Sequence, residues 1–493
     1  MPKGTAFTRL SSLFAPLETV YFHAKEDLDV EDIAIDSRDV HPGTLFVALR
    51  GEERDGHDYI DDAAVQGACC VVCEKPPEID IAYVLVSDTH DALAMLAARF
   101  CGEPAEKLTM IGVTGTNGKT TTTYLLKQLL EKTKGAKVGL IGTNQNMIGD
   151  EILSAERTTP DALSLQKLLS AMVEAGCSHA VMEVSSHALM QKRAAGIRFA
   201  VGIFTNLTQD HLDYHGTMES YCDAKAKLFT ACDAAVVNGD DPWTPRLLEG
   251  FTGKVTTFGQ GLTNDLVAYR PHYENDRVCF AACSDTDHVE TYLPIPGAFS
   301  LYNALGALAA MQALGVSLPE SAKALRTCTG VRGRCEVVPV PADYTVIIDY
   351  AHTPDGLKNI LAAVCGFAEG RVIAVFGCGG DRDKTKRPRM GRIAAALSDF
   401  AVLTSDNPRT EDPYAILREV YSGMADAKTP FAVIEDRREA IRFALRSARR
   451  GDVVVLCGKG HETYQTIGTT KYPLDEREVV RACFAKEQRK DAE

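Results

Sequence analysis

Residues 110–123, MIGVTGTNGKTTTT, constrain the local fold more tightly than any other stretch of the 493 residues. The apolar run Met110 to Val113 predicts a buried strand, Gly115 to Thr120 a tight turn, and Thr121 to Leu130 a helix. Gly115 and Gly118 free the backbone to turn so that several N–H groups converge on one point. The helix N-terminus adds partial positive charge there, which suits an anion and above all a phosphate. Lys119 can reach terminal phosphates and the Thr120 hydroxyl can hold Mg²⁺. The segment departs from the common phosphate-loop pattern at Val113, where a glycine is usual. A plain Gly-rich strand–helix turn with a surface lysine would leave the ordered run of strand, glycines, Lys-Thr and helix a coincidence.

Length favours about three domains. Hydrophobic residues make up 45% and charged residues 24%, the balance of an ordinary globular protein. Lys and Arg number 53 against 67 Asp and Glu, a formal charge of −14, which argues against a nucleic-acid partner. No run of 18 apolar residues occurs, so no membrane span is expected, and the apolar stretch near the N-terminus is too short and interrupted for a signal peptide. The 15 cysteines are odd in number, and several lie within apolar runs such as Cys69–Cys73, which reads as buried reduced thiols of a cytoplasmic protein. Cys70 and Cys73 have zinc-like spacing, yet no second ligand pair follows, so strand cysteines are the better reading.

The pattern along the chain predicts an α/β protein of three domains, at 1–107, 108–335 and 336–493. In the first, strands are expected at 33–36, 44–49 and 68–72 with a helix at 59–67. The second is a central doubly wound sheet around the phosphate loop, with strands at 138–141, 179–184 and 234–238, another ending at 204–206, and a helix at 162–176. The third is a Rossmann-like sheet with strands at 345–349, 371–376, 400–404 and 452–456. Each of those four strands runs into a polar or Gly-rich segment: DYAHTPD, GCGGDRDK, SDNPRTEDP and GKGHE. Ligands of open α/β sheets bind beyond such carboxyl ends. Arg382 stands where a dinucleotide fingerprint needs its last glycine, so a redox cofactor is not expected.

Several side chains invite a chemical and a plain reading together. Glu183 ends a buried strand and could ligate Mg²⁺, or could form a structural ion pair while the following serines cap a helix. Ser186 lacks the surroundings of a nucleophile elbow. The segment Asn206 to Gly216, NLTQDHLDYHG, holds two histidines and two aspartates, but not at the spacing of a zinc helix. Lys225 reads plainly as an exposed helix lysine beside Lys227, Asn303 as the cap of an Ala-rich helix, and Asp406–Arg409 as a Pro-containing turn.

GTNGKT with its Thr run resembles the nucleotide loop of the Mur ligases and of folylpolyglutamate synthetase, which join a carboxylate to an amine using ATP, and NLTQDHLDYHG resembles the Mur ligase segment in particular. The resemblance implies ATP binding by Gly115, Thr116, Asn117, Gly118, Lys119, Thr120, Thr121, Asn303, Arg334 and Asp349, with His352 near the adenine. It implies catalytic roles for Lys119, Glu183, His211 and Lys225, and Mg²⁺ ligation by Thr120, Glu183, His211 and Lys225. Lys225 would react as a neutral amine with CO₂ to give a carbamate, which can ligate a metal where an ammonium cannot.

Asp406-Asn407-Pro408-Arg409 is similar to the DNPR motif of the family members that add meso-diaminopimelate. On that basis Arg382, Asp406, Asn407, Pro408, Arg409, Gly458 and Glu462 would hold the amino acid. Ile35, Ser37, Thr158, Thr159, Ser186, Gln191 and Arg193 would hold UDP-MurNAc-L-Ala-D-Glu, while Glu52-Glu53-Arg54 stands where members vary. The implied enzyme is a cytoplasmic, monomeric, ATP-dependent ligase of peptidoglycan synthesis that works through an acyl phosphate and closes about residues 330–340. The alternatives are the same reaction with L-lysine or L-ornithine, a folylpolyglutamate synthetase, or a non-catalytic nucleotide-binding scaffold.

Overall fold

A computed structural model describes residues 8–15, 21–51 and 54–490, with side chains to 485. Glu52, Glu53 and the start of the chain, read above for a signal peptide, lie outside the described residues. One compact unit gathers Met1–Lys119, Leu130–Val237 and Asp241–Thr256, and the other gathers Thr120–Leu129, Asn238–Asp240 and Thr257–Glu493.

The first unit holds a short antiparallel pair, Thr8–Arg9 with Asp29–Val30, and strands of two larger sheets. In one, the strand order is Tyr21–His23, Tyr83–Leu85, Cys70–Cys73, Thr44–Val47, Asp32–Ala34. All pairs are parallel except that of Tyr21–His23 with Tyr83–Leu85. Cys70 packs with Leu45, Val47 and Val72, whereas Cys73 packs in a separate cluster with Phe46 and Val71. The two thiols lie on opposite faces of the strand, as its two-residue period requires, and so cannot share an ion. Burial pushes the Cys73 thiol up to about 11.

In the other sheet, parallel strands run in the order Val138–Ile141, His179–Glu183, Thr109–Thr114, Phe199–Phe204, Cys232–Asn238. A hairpin of Asn146–Ile148 and Glu151–Leu153 extends the Val138 edge. Thr109–Thr114 is central, and everything but Thr109 on it is buried. Helix Ala162–Glu174 contributes Leu165, Leu169 and Met172 to the core over this sheet, with Phe199, Phe204 and Leu228. The helix after the phosphate loop spans Lys119–Lys134, longer at both ends than the sequence pattern predicts. Gly118 and Gly135, at φ +86° and +60°, make the turns that bound it.

The second unit contains antiparallel strands Leu266–Tyr273, Val278–Cys283 and His288–Leu293. It also contains a sheet ordered Glu336–Val338, Thr345–Asp349, Val453–Cys457, Val372–Phe376, Phe400–Leu403, Phe431–Val433. All its pairs are parallel save that of Glu336–Val338 with Thr345–Asp349. Val346, Ile348, Ile373, Val375, Val454 and Leu456 form its core with Ile441 and Val480 from flanking helices. The four strands expected here lie within one residue of their predicted ends, because apolar runs stop abruptly at Gly or polar residues. All 15 cysteines are free thiols, and among the described residues no helix is long and apolar enough to cross a membrane.

Candidate active site

In the first unit, strand Thr109–Thr114 delivers the chain into Gly115 at φ +143°. A Cβ there would stand 1.9 Å from Thr205 Oγ1, so the close approach requires glycine. Thr205 Oγ1 donates to the Asn117 carbonyl at 2.6 Å, Asn206 Nδ2 donates to it at 3.1 Å, and Asn206 Oδ1 accepts from Asn117 N at 3.0 Å. The Thr116 and Tyr221 hydroxyls meet at 3.2 Å. Lys119 Nζ donates to the carbonyls of Gly115 and Thr116 at 2.8 and 2.9 Å. The loop is thus shaped by the 205–208 segment that opens the predicted histidine-rich motif.

Lys225 is not the exposed helix lysine of the plain reading. It is buried, with Nζ donating to the Gly115 carbonyl at 3.0 Å and lying 4.3 Å from the Tyr221 ring centre. Burial, and then the nearby Lys119 charge, hold its pKa well below the ordinary lysine range. That direction favours the neutral amine. His211 occupies the left-handed region at φ +52°, and its ring lies 4.8 Å from His187. His215 stacks on Tyr221 at 4.9 Å and meets Ser186 Oγ at 2.9 Å. Burial, then the His187 charge, lowers His215 to about 4.

Glu183 is fully buried and its carboxylate is held by Thr143 rather than by a cation among the described residues, contrary to the plain reading. Its oxygens accept from Thr143 N at 2.9 Å and Thr143 Oγ1 at 3.0 Å, and Thr143 Oγ1 in turn meets Thr158 Oγ1 at 3.0 Å. Ser185, as expected, caps helix Ser186–Met190. A buried carboxylate with only neutral donors is by its chemistry a natural partner for a hard cation. Among the described residues no three His, Cys, Asp or Glu side chains form a self-sufficient metal cluster. Thr159 Oγ1 donates to the Glu183 carbonyl at 2.8 Å, and Arg193 Nη1 donates to the Thr159 carbonyl at 2.9 Å, with Arg193 also bonded to Gln191. Thr158, Thr159, Gln191 and Arg193 are therefore drawn into one network with Glu183. Ile35, packed at the core edge, and Ser37, first in a short 3₁₀ turn capped by Asp36, follow strand Asp32–Ala34 of the separate five-stranded sheet in the same unit.

In the second unit, Thr120 and Thr121 are buried near the start of the helix, and Thr122 Oγ1 donates to Asn303 Oδ1 at 3.4 Å. Asn303 is buried within helix Ala298–Ala313, which begins after Pro296-Gly297; it caps nothing. Arg334 lies 5.0 Å over the Tyr350 ring and faces Asp349, whose oxygens accept from Cys335 N at 2.7 Å and Ala351 N at 2.8 Å. Burial raises the Asp349 carboxyl despite Arg334. Tyr350 is flanked by His352 and His461 at 4.6 and 4.9 Å. Burial, then Arg334, lowers His461 to about 4.

Beyond strand Phe400–Leu403, Asp406 and Asn407 are buried. Asn407 Nδ2 donates to Glu462 Oε2 at 3.0 Å, while Lys459 Nζ donates to Asn407 Oδ1 at 2.8 Å and to Glu462 Oε2 at 2.6 Å. After Pro408, Arg409 takes φ +51° and donates Nη1 to the Gly380 carbonyl at 2.7 Å, with its backbone paired to Thr466 and Gly468 of the hairpin Tyr464–Pro473. Gly458 sits at φ +115°, where a Cβ would lie 2.5 Å from Asp406 Oδ2. Arg382 is exposed, and among the described residues its side chain donates to the carbonyl of Asp381 at 3.2 Å.

Sequence reasoning missed Thr143, Thr205, Tyr221, Tyr350, His461 and Lys459. Lys459 was legible in principle, lying inside GKGHE between two residues already singled out.

A protein of Caldanaerobacter subterraneus subsp. tengcongensis named UDP-N-acetylmuramoyl-L-alanyl-D-glutamate–2,6-diaminopimelate ligase is 45% identical over 468 residues, 94% of this chain and 96% of that protein. The chain belongs to the Mur ligase family. Models of the family's catalytic domain, middle domain and glutamate ligase domain match residues 29–101, 113–311 and 333–460 of this Mur ligase, one after another. A solved structure of a UDP-N-acetylmuramoyl-L-alanyl-D-glutamate–2,6-diaminopimelate ligase covers 98% of the chain, and the chain covers 99% of it, at a TM-score of 0.72 and 31% identity. The MurF ligase of Thermotoga maritima, solved with ADP, shares the fold at a TM-score of 0.62 and 22% identity, covering 93% of this Mur ligase and 98% of its own chain. The three-domain α/β architecture expected from the sequence is that of the family.

Proposed function

We propose that this Mur ligase joins the amine of meso-diaminopimelate to the γ-carboxylate of D-glutamate in UDP-MurNAc-L-Ala-D-Glu, consuming ATP through an acyl phosphate. The carrying observation is Arg409. It follows a buried Asp-Asn-Pro, it is held in a left-handed conformation, and its guanidinium bonds a carbonyl while pairing with no carboxylate among the described residues. A planar fork with no carboxylate at ion-pair distance suits the second carboxylate of diaminopimelate, which lysine lacks.

In this reading residues 1–107 bind the uridine end, 108–335 bind ATP and 336–493 bind the amino acid. Lys119 and the amides of 115–118 hold the γ-phosphate, while Thr158, Thr159, Ser186, Gln191 and Arg193 hold the peptide so that its carboxylate meets that phosphate in line. Asn303, Arg334 and Asp349 hold the nucleoside, with His352 beside the adenine. Thr120 and Glu183 would hold one Mg²⁺, and His211 with carbamylated Lys225 another; when bound these ions neutralise phosphate charge. Asp406, Asn407 and Glu462 hold the ammonium of the second amino-acid head, which leaves the other amine to attack the acyl carbon and expel phosphate. Bending within 330–340 brings the amine to the acyl phosphate and keeps water away. The enzyme acts in the cytoplasm, a reducing setting that suits its free thiols, and as a monomer.

The test is phosphate release from ATP with UDP-MurNAc-L-Ala-D-Glu and each of meso-diaminopimelate, L-lysine and L-ornithine. Turnover confined to diaminopimelate is expected. Preference for lysine or ornithine would overturn the reading of Arg409, and silence with all three would overturn the ligase reading.

A further inference from the structure

We infer that Lys459, resting on the reading just given, is the positioning residue that makes the amine pocket prefer a zwitterionic amino-acid head to a lone ammonium. Strand Val453–Cys457 leads into Gly458, whose left-handed turn sends the next side chain inward. Lys459 is fully buried, a place where lysine is found only when paired.

Its ammonium makes two bonds. One, of 2.8 Å, goes to Asn407 Oδ1, which also accepts from Thr466 N at 2.9 Å. With two donors on that oxygen the amide has one orientation, and its Nδ2 must face Glu462 Oε2, where it donates at 3.0 Å. The other Lys459 bond goes to that same Oε2 at 2.6 Å. Both donors therefore engage one oxygen of Glu462 and leave Oε1 to accept an ammonium. Nearby, Asp406 Oδ1 accepts from Asn407 N at 2.6 Å while Oδ2 is buried without a partner, a second acceptor.

Charge makes the same point. Lys459 is the cation bonded to the Glu462 carboxylate, and beneath it Arg437, which also faces Asp406, pairs with Glu476 at 2.8 Å. With Glu462 offset in this way the pocket accommodates a head that carries one ammonium and one carboxylate. Without the Lys459 charge the pocket becomes more negative by one, which disfavours the carboxylate and favours the single ammonium of lysine.

The experiment compares kcat and KM for meso-diaminopimelate, L-lysine and ATP in the unchanged protein and in Lys459→Met. The expected result is a fall of about tenfold or more in the diaminopimelate-to-lysine ratio of kcat/KM, carried by KM, with the KM for ATP moved by less than about twofold. A variant that melts earlier but keeps its ratio, or whose KM rises equally for ATP, would overturn the inference. Should Lys459→Met fail to fold because Glu462 is left unpaired, Lys459→Met/Glu462→Gln is compared with Glu462→Gln alone. The ratio should again fall about tenfold, and no change would overturn the proposal. Absence of turnover by the unchanged protein overturns the functional reading and this inference with it. Turnover by the unchanged protein with an unaltered variant ratio overturns the inference alone.

Discussion

Lys225 and Lys119 converge on a single acceptor, the carbonyl oxygen of Gly115, at 3.0 and 2.8 Å. Two ammonium groups at one carbonyl repel each other, and Lys225 is the buried partner, so it is the one driven toward the neutral amine. Lys225→Ala should lower the rate of phosphate release by about 100-fold or more, the size seen when a preorganised electrostatic contact is lost. Acetate or propionate should restore part of it by standing in for the carbamate. Intact mass of the unchanged protein in bicarbonate should show the CO₂ adduct, and neither rescue nor adduct would end this account.

Gly115→Ala should be among the most damaging single-methyl additions in the chain. At φ +143° an L residue is strained, and the new carbon would meet Thr205 Oγ1 at 1.9 Å. Strain alone should cost about 1–3 kcal/mol, measured as a shift in the urea midpoint. Adding Thr205→Ala should relieve the collision and leave the strain, so recovery should be partial.

Arg437 and Glu476 form a pair with no exposure on either side chain. Glu476→Gln leaves a buried guanidinium without its carboxylate and should cost about 3–5 kcal/mol in chemical denaturation. Replacing both by methionine should cost less than the single change, because no charge then remains to be desolvated.

Burial and then the Arg334 charge push the folded His461 imidazole from its ordinary 6.5 down to about 4. The unfolded chain therefore binds more protons between those values, and stability must rise with pH across that window. Above it both states are neutral and the effect is gone; below it the penalty is complete. The melting temperature of His461→Gln should accordingly change less with pH between 4 and 6.5 than that of the unchanged protein.

The parallel strands of the last sheet were legible because each is a short apolar run with a sharp polar end. The phosphate loop was legible because its residues are contiguous. What stayed hidden depends on distant chain segments. The plain ion-pair reading of Glu183 failed because its partner is Thr143, on a loop 40 residues away. Lys225 looked exposed because its helix carries no clear apolar stripe, although Tyr221, Cys222 and Ala224 are buried with it. Asn303 looked like a cap because the alanines begin after it, whereas Pro296-Gly297 sets the true start. Leu266–Leu293 escaped notice because its strands mix charged and apolar residues without strict alternation.

In the last sheet, strands ending at Asp349, Phe376, Leu403 and Cys457 all point the same way. The side chains proposed to choose the amine lie past those ends, and the residues that hold the sheet together lie before them. Choice of building block and thermal robustness are thus written in different parts of the same strands. An ancestral ligase could exchange one amino-acid substrate for another by rewriting a few loop positions, and a grafted set of such loops should retarget this enzyme while leaving its melting behaviour nearly where it was.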